Sequence, residues 1–300
     1  MEITKELNLS DSERNKVEMH SALNILNILT YELLTFSELT GDQEQILPSL
    51  TSVQEIAYTL SDKKKTMKNL SQIGEKKKLI LENIDSAVQE SSAGSEKMKD
   101  TKENILSLLN VLEIRPAEII SRESSYSAWV RHDTEKLKER FLEVFRAIEK
   151  NSKGRYFIVF DPKEHDDHSY LVALTIEGND GNTIYMPPEI QDVFRDLIAN
   201  ARKYTDPGGK IDARLTVDDK ELTLIVQDNG WGIPQDQVES IVDYGVRAYN
   251  VSDKMSCGGG FGLTKAYYTA RRFRGRMWID SQENNGTKIT IKIPIPENSV

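Results

Sequence analysis

The pattern of hydrophobic and polar positions changes character near the middle of the chain. Residues 11 to about 130 carry helical repeats rich in Lys, Glu, Ser, Leu and Ile, with few prolines and glycines. After residue 150, short apolar or alternating runs such as RYFIVF, YLVALTI, LTLIVQ and KITIKIPI lie between turn signals, as is typical of strands. We therefore predict an α+β protein, with a helical domain over residues 1–130 and an α/β domain over residues 131–300.

The helical half begins with one long predicted helix. The segment DSERNKVEMHSALNILNILTYELLTFSEL opens with capping residues and runs to Gly41, a residue type that commonly ends helices. From Met67 to Leu112 apolar residues recur at alternating spacings of three and four, and nine of the fourteen positions in this repeat are apolar. Such a repeat is typical of a coiled-coil or bundle seam. This seam is weakest at Gly74, Lys77, Ser91 and Ser95.

We interpret the helical half as a helical hairpin that dimerises, giving a four-helix bundle. The alternative that the pattern leaves open is a solvated linker of lysine-rich helix.

Composition and charge exclude several classes of protein. The net charge of −9 argues against nucleic acid as the main partner, because a phosphate backbone requires a basic face. No stretch approaches the roughly 20 apolar residues of a membrane span, and the first residues lack the apolar core of a signal peptide. The single cysteine, Cys257, excludes an internal disulfide and a cysteine-based metal cage. We expect a cytoplasmic protein without a membrane span.

Candidate chemistry lies in four segments of the second half. In DNGWGIP, residues 228–234, an aspartate ends a predicted strand beside two glycines. In QDVFRDLIANARKYTDPGG, polar residues spaced by four, four and three fall along one side of a helix. That stripe is formed by Asp192, Asp196, Asn200 and Lys203. Taken alone, it could equally be a solvated face with ion pairs between successive turns.

The other two segments are rich in glycine or close the domain. CGGGFGLTKAYYTARRF places glycines directly before an apolar-periodic helix, where backbone N–H groups can bind an anion. A flexible loop would use the same residues. NNGTKITIKIP gives a turn at Gly286 and Thr287 and then a closing strand.

The order of these four segments resembles the GHKL ATPase superfamily, which includes histidine kinases, type II topoisomerases, mismatch-repair ATPases and heat-shock chaperones. The resemblance covers about residues 133–296 and implies a GHKL α/β sandwich that binds ATP and Mg²⁺. It implies that Asp228 accepts a hydrogen bond from the adenine amino group and that Asn200 is the Mg²⁺ ligand. Asp196 would help to order a water molecule or the metal. The implied nucleotide contacts are Asn200, Lys203, Tyr204, Asp228, Gly230, Gly232, Ile233, Arg247, Gly258, Gly260, Phe261, Gly262, Leu263 and Thr287.

The resemblance also implies a mobile lid over residues 235–256. Arg247 occupies the place of the lid arginine of kinases. The sequence departs from the kinase pattern at two lid phenylalanines, whose places are taken by Val242 and Gly245.

The sequences of these segments are similar to those of sensor histidine kinases, which require a histidine on an upstream helix. His20 meets this requirement in EMHSALNILNIL, with Asn24 four residues later, as in phosphoacceptor motifs of the type H-x-x-x-N-x-L. The resemblance makes His20 the acceptor and Asn24 the residue that orients water during dephosphorylation. Ser21 stands where most kinases have an acid. The implied partners are a response regulator receiver domain, a second copy of the chain, and an upstream sensor protein or domain.

Two other functions remain open at this point. The chain could be a histidine phosphotransfer protein that uses His20 as a relay, with a vestigial ATP site. It could also be a nucleotide-gated scaffold, although His20 and the long helices would then have no role. His165 and His168, with the two aspartates between them, are expected to form a polar loop more readily than a metal site.

Overall fold

The chain folds into two compact units. The computed structural model describes residues 1–90, 96–124, 129–151, 154, 156–251 and 260–296. One unit comprises Leu9–Tyr126, and the other combines Met1–Asn8 with Ser127–Val300. The fold is α+β, as expected, but the division differs from the two contiguous ranges predicted, because the first eight residues join the second unit.

The regular secondary structure of the first unit is all helical in the described residues. Its helices are α1 (Asp11–Glu18), α2 (His20–Thr40), α3 (Gln43–Thr59), α4 (Lys63–Ser71), α5 (Ile73–Glu90) and α6 (Glu96–Ser124). None of the helices in the described ranges is long and apolar enough to cross a membrane.

Helices α2, α3, α5 and α6 form a four-helix bundle within one chain. Helix α2 packs on α3 and α6, and α5 closes the ring by packing on α3 and α6. Each of the four helices contributes a stripe of buried residues at spacings of mostly three and four, the pattern of a core-facing helix. Examples from the four helices in turn are Leu29, Val53, Ile84 and Leu109.

The predicted single helix up to Gly41 is interrupted at Met19, which ends α1 and precedes α2. Helix α1 starts with a capping box between Ser10 and Glu13. The buried side-chain amide of Asn15 donates to the carbonyl of Leu60 near the end of α3. This contact ties α1 to a connection 45 residues away in sequence, which the local pattern could not indicate.

The predicted seam between Met67 and Leu112 is divided among three helices. Helix α4 ends at Ser71 and α5 starts at Ile73, while positions 91–95 lie outside the described residues. Ile84 of α5, together with Ile105 and Leu109 of α6, faces the core of the same chain. The seam positions that are buried among the described residues therefore pack in the core of one chain.

The second unit is built on a seven-stranded sheet in the described residues, with strand order β1-β8-β9-β7-β6-β4-β3. Its strands and those of a separate β2–β5 pair are β1 (Glu2–Ile3), β2 (Val130–Asp133), β3 (Phe157–Val159), β4 (Ser169–Glu177), β5 (Thr183–Met186), β6 (Lys210–Val217), β7 (Glu221–Asp228), β8 (Arg276–Ser281) and β9 (Thr287–Pro294). The pairs β3–β4 and β4–β6 are parallel, and the other neighbours are antiparallel. The helices are α7 (Thr134–Asn151), α8 (Glu189–Lys203) and α9 (Gly262–Arg272).

The sheet buries one face against the helices. Along β9 the residues alternate between buried and partly exposed, with Ile289, Ile291 and Ile293 pointing into the core. The same core contains Phe141 of α7 and Phe194 of α8, whose rings meet edge to face at 5.4 Å. The result is a two-layer α/β sandwich.

The first residues of the chain supply the edge strand of this sheet. Strand β1 pairs with β8, and Ile3 lies in the core with 1% of its surface exposed. The buried hydroxyl of Tyr267 donates to the carbonyl of Lys5 at 2.6 Å and to that of Ile3 at 3.3 Å. The Lys5 ammonium donates to Asp243 at 2.6 Å. The chain therefore crosses from one unit to the other twice, once before α1 and once after α6.

We predict that Ile3→Ala destabilises the second unit by about 2–5 kcal/mol, because it leaves a cavity in the core under β8. Trp129, Trp231 and Trp278 are the tryptophans of the chain and all lie in this unit, so urea unfolding followed by tryptophan fluorescence reports on it.

The matched control is Val130→Ala, which truncates a side chain that is 38% exposed and should cost less than about 1 kcal/mol. Equal effects of the two substitutions would contradict the assignment of β1 to the core of the second unit.

Candidate nucleotide-binding site and candidate phosphoacceptor

Asp228 ends β7 and is held by two backbone N–H groups. Its Oδ1 accepts hydrogen bonds from Gly230 N at 2.9 Å and from Thr287 N at 3.2 Å. Burial raises the pKa of Asp228 to about 6, and the two backbone hydrogen bonds oppose that rise. Within the described part of the chain, Oδ2 accepts no hydrogen bond, so it can accept one from a ligand. An adenine amino group is a donor of this kind.

The glycines after Asp228 are required by close approaches of the chain to itself. A Cβ atom at Gly230 would lie 2.1 Å from the carbonyl oxygen of Tyr204. Gly232 has φ +65°, and a Cβ atom there would lie 1.9 Å from the carbonyl oxygen of Gln282. The turn is thus packed directly on the backbone of two other segments, and these contacts fix the position of the backbone beside Asp228.

Hydrogen bonds of Trp231 and Asn250, two residues without a predicted role, fix the same turn. The Trp231 indole N–H donates to Asp206 at 2.8 Å, and its backbone N–H donates to the carbonyl of Tyr204. The side-chain amide of Asn250 donates to the carbonyls of Trp231 and Gly232. The turn is therefore linked to the end of α8 and to the segment predicted as the lid.

The Thr287 hydroxyl is held by Ser281 on the neighbouring strand. The two hydroxyl oxygens are 2.9 Å apart, and Ser281 also accepts from the backbone N–H of Ile233 at 2.8 Å. Ile233 is buried. Ser281 was not among the predicted site residues, because only the pairing of β8 with β9 brings it beside Thr287.

The predicted polar stripe on α8 does not remain a solvated face. Asp192 is buried and pairs with Arg195, and Asp196 accepts a hydrogen bond from Lys265 of α9 at 2.7 Å. The Lys203 ammonium lies 5.0 Å from the centre of the Tyr204 ring. Lys265 is a residue that sequence reasoning missed.

Asn200 touches the start of α9. A Cβ atom at Gly262 would lie 2.5 Å from Asn200 Nδ2, so only glycine leaves room for this amide. The structure thus brings the predicted metal ligand against the predicted phosphate loop. An amide oxygen is a ligand that Mg²⁺ accepts, together with phosphate oxygens of a nucleotide. Asn200 therefore fits a Mg²⁺ site that the nucleotide completes.

The glycine segment is described from Gly260 onward, and Gly258 lies outside the described residues, as does Cys257. Gly260 has φ +76° and approaches the backbone of Gly245. The Phe261 ring lies 4.7 Å from the ring of Tyr244, centre to centre. Leu263, in the first turn of α9, packs against the core of the second unit.

The part of the predicted lid from Gln235 to Val251 is packed into the domain. It forms three short 3₁₀ turns, and Val242 is fully buried. The Arg247 guanidinium donates to the carbonyl of Val251 at 2.9 Å. Val242 therefore acts as a core residue, while Tyr244 supplies an aromatic contact that the sequence pattern did not suggest. Residues 252–256 of the predicted lid lie outside the described residues.

His20 is the first residue of α2, and its imidazole Nε2 lies 3.3 Å from Asn24 Nδ2. Because an amide nitrogen can only donate, Nε2 is the acceptor in this arrangement. His20 is 7% exposed, whereas the sequence pattern led us to expect an imidazole in contact with solvent. The side chain of Ser21 lies outside the described part of the chain.

The remaining histidines do not form a metal site with their neighbours in the described residues. Among those residues, no group of three or more His, Cys, Asp or Glu side chains could hold a metal ion. In the loop containing His165, Asp166 instead accepts from the backbone N–H of His168 at 2.9 Å. His132 Nδ1 lies 3.3 Å from the side-chain amide nitrogen of Gln191.

A family of known proteins matches the part of the chain that contains the four candidate segments. Residues 186–297 match the family described as histidine kinase-, DNA gyrase B-, and HSP90-like ATPase. The chain contains a histidine kinase-like ATPase domain. The matched range includes every candidate nucleotide contact from Asn200 to Thr287 and excludes His20.

The curated relatives of this ATPase domain include sensor histidine kinases. Sensor histidine kinase WalK of Bacillus subtilis is 34% identical over 111 residues, which cover 36% of this chain and 18% of WalK. Sensor histidine kinase RppB of Synechocystis is 36% identical over 107 residues, covering 36% of this chain and 24% of RppB. The chain thus spans less than a quarter of the length of each of these relatives.

Solved structures similar to the chain include the Mycobacterial sensor histidine kinase MprB. That alignment has 19% sequence identity and a TM-score of 0.40, and it covers 55% of this chain and 97% of the MprB chain.

We predict that Asp228→Asn makes the ATPase domain more stable at pH 7.5 than the wild type. The raised pKa means that the folded state binds the proton more tightly, so wild-type stability falls as the pH rises from about 4 to about 6. The asparagine carries no charge and keeps an Oδ1 acceptor. The gain should be on the order of 1–3 kcal/mol at pH 7.5 and should shrink toward pH 4, as measured by urea unfolding.

Asp218→Asn is the matched control. Backbone hydrogen bonds from Lys220 and Glu221 lower the pKa of Asp218, so this substitution should reduce stability at neutral pH. A gain of stability in both variants would contradict the assigned burial of Asp228.

Proposed function

We propose that the chain is an ATP-dependent protein histidine kinase. In this proposal the ATPase domain binds Mg·ATP, the γ-phosphoryl group passes to His20, and His20 then passes it to an aspartate of a response regulator receiver domain. The observation that carries the proposal is the geometry at Asp228. Its Oδ1 is fixed by two backbone donors while Oδ2 faces no partner among the described residues, which suits recognition of adenine.

Each part of the nucleotide would meet a different element. Asp228 would accept from the adenine amino group, with Thr287 and Ser281 supporting the base. Asn200 would hold Mg²⁺, which neutralises charge that develops on the phosphates during transfer. Lys203, Arg247 and the first turn of α9 would contact the phosphates, because cations and helix N-termini stabilise anions.

The transfer itself needs a nucleophilic nitrogen and a leaving group. A ring nitrogen of neutral His20 would form the N–P bond as the bond from the γ-phosphorus to its bridging oxygen breaks, and ADP would leave. The imidazole loses its remaining proton to solvent. Because His20 is 7% exposed, its ring must be uncovered before it can take up the phosphoryl group.

The second candidate is a histidine phosphotransfer protein, and one observation favours it. The core of the helical unit is closed within one chain, so this unit can present His20 without a partner helix. The intact surroundings of Asp228 and the contact of Asn200 with Gly262 favour the kinase, because a pure relay needs neither.

Labelling separates the two functions. We expect incubation with γ-labelled ATP and Mg²⁺ to place label on the wild type as a phosphoramidate, which is lost in acid and kept in base. His20→Gln should remove the label without weakening ATP binding, since the residue lies in the other unit. Asn200→Ala should also remove it, by disturbing the metal.

The control is His168→Gln, which changes an exposed histidine outside the proposed machinery and should leave labelling unchanged. Label that survives in His20→Gln would show that another residue is the acceptor. A wild type that takes label only from a phosphorylated receiver domain would favour the relay.

A homodimer and an upstream sensor protein or domain are part of the proposal. The seam positions that are buried in the core of one chain give no support to the dimer, but α2 presents a different apolar stripe. Ile28, Tyr31 and Leu34 lie along one side of this helix and are 45%, 63% and 49% exposed. Exposed apolar patches of this kind mark protein interfaces.

We predict that light scattering at tens of micromolar shows a dimer, which Tyr31→Glu converts to a monomer by placing a charge in the stripe. Tyr58→Glu on α3, where the side chain is 85% exposed, is the control and should leave the dimer intact. A monomeric wild type would refute the dimer and transfer between subunits.

A further inference from the structure

Helices α8 and α9 run antiparallel and are linked at three levels. At the first level Asn200 lies against Gly262. At the second, Asp196 pairs with Lys265, and at the third, Glu189 accepts from Arg272 at 2.6 Å. The predicted metal ligand and the predicted phosphate loop thus sit at one end of a helix pair that is held by two ion pairs.

The middle ion pair is the closest to the proposed metal site. The Lys265 ammonium donates to Asp196 Oδ2 at 2.7 Å, and the two side chains are 8% and 13% exposed. Asp196 precedes Asn200 by four residues, so the two side chains lie on the same face of α8, one turn apart.

A carboxylate at this place would ordinarily attract a divalent cation. Mg²⁺ and Mn²⁺ prefer carboxylate and amide oxygens, and Asp196 and Asn200 could offer both from one helix face. Lys265 places a full positive charge against that carboxylate in surroundings that exclude most water, where charges are weakly screened. The pair is neutral overall, so little negative charge remains to draw a metal ion.

We propose that Lys265 is a positioning residue that keeps Asp196 out of the metal site. A divalent cation then binds beside Asn200 only when nucleotide phosphates supply the missing negative charge. This inference rests on the proposed Mg·ATP site and adds the residue that makes metal binding there depend on the nucleotide.

A purely structural ion pair predicts something different. If Lys265 only joins the two helices, its removal lowers stability and leaves the affinity for metal alone unchanged. Arg272 provides the comparison, because it joins the same two helices at the level farthest from Asn200.

The test is titration of the full chain with Mn²⁺ in the absence of nucleotide. Binding is measured by calorimetry and by the electron paramagnetic resonance signal of unbound Mn²⁺. We expect weak binding by the wild type and binding at least about 10-fold tighter by Lys265→Met. Lys265→Arg should behave as wild type because it retains the charge. Asp196→Asn combined with Lys265→Met should lose the gain, and Arg272→Met should show none.

Unchanged Mn²⁺ affinity in folded Lys265→Met would overturn the inference, as would an equal gain in Arg272→Met. Should Lys265→Met fail to fold, Asp196→Asn decides, because its unpaired Lys265 should reduce the enhancement of ATP affinity by Mg²⁺. An unreduced enhancement would also overturn the inference. The proposed function is checked separately by Mg·ATP binding and His20 labelling of the wild type, which do not depend on these variants.

Discussion

The pairing of β7 with β9 is the constraint on which the candidate nucleotide site depends. This antiparallel register sets Asp228 opposite Thr287, and the backbone N–H of Thr287 then reaches the Asp228 carboxylate. A slip of one residue would turn every side chain of β9 to the other face and would remove Ile289 and Ile291 from the core. Packing of the core therefore fixes the position of the Asp228 carboxylate, the group that we propose recognises adenine.

The pairing of α8 with α9 is the second constraint in the ATPase domain, because it sets Asn200 against Gly262. Buried ion pairs contribute little net stability, because desolvation offsets their attraction. The pairs Asp196–Lys265 and Glu189–Arg272 join the same two helices whose ends bring Asn200 against Gly262. The proposed base-binding and phosphate-binding ends of the site are thus set by two different kinds of contact, strand register and helix pairing.

The helical unit that carries the proposed phosphoacceptor packs within one chain, whereas the sequence predicted a bundle formed by two copies. The described core of its four helices lies within one chain, so the packing of these residues needs no second copy. The exposed residues Ile28, Tyr31 and Leu34 are left as the apolar surface of α2. Strand β1 and Lys5, which precede α1, are anchored in the other unit by β8, Tyr267 and Asp243, so both ends of the helical unit are connected to the ATPase domain.

The sequence alone was enough for the α+β class and the ATPase family, and it supplied the main candidate residues, whose roles stay a prediction. Asp228, Asn200 and the glycines could be singled out because the roles proposed for them require particular residue types at short fixed spacings on single elements. The tertiary structure decided which distant residues stand beside them: Ser281, Tyr244 and Lys265, as well as β1 in the sheet. It also decided that buried seam residues such as Ile84, Ile105 and Leu109 pack in the core of one chain, and that His20 is buried. These features depend on strand register, helix pairing and burial between segments far apart in the chain, and local periodicity carries no information about such contacts.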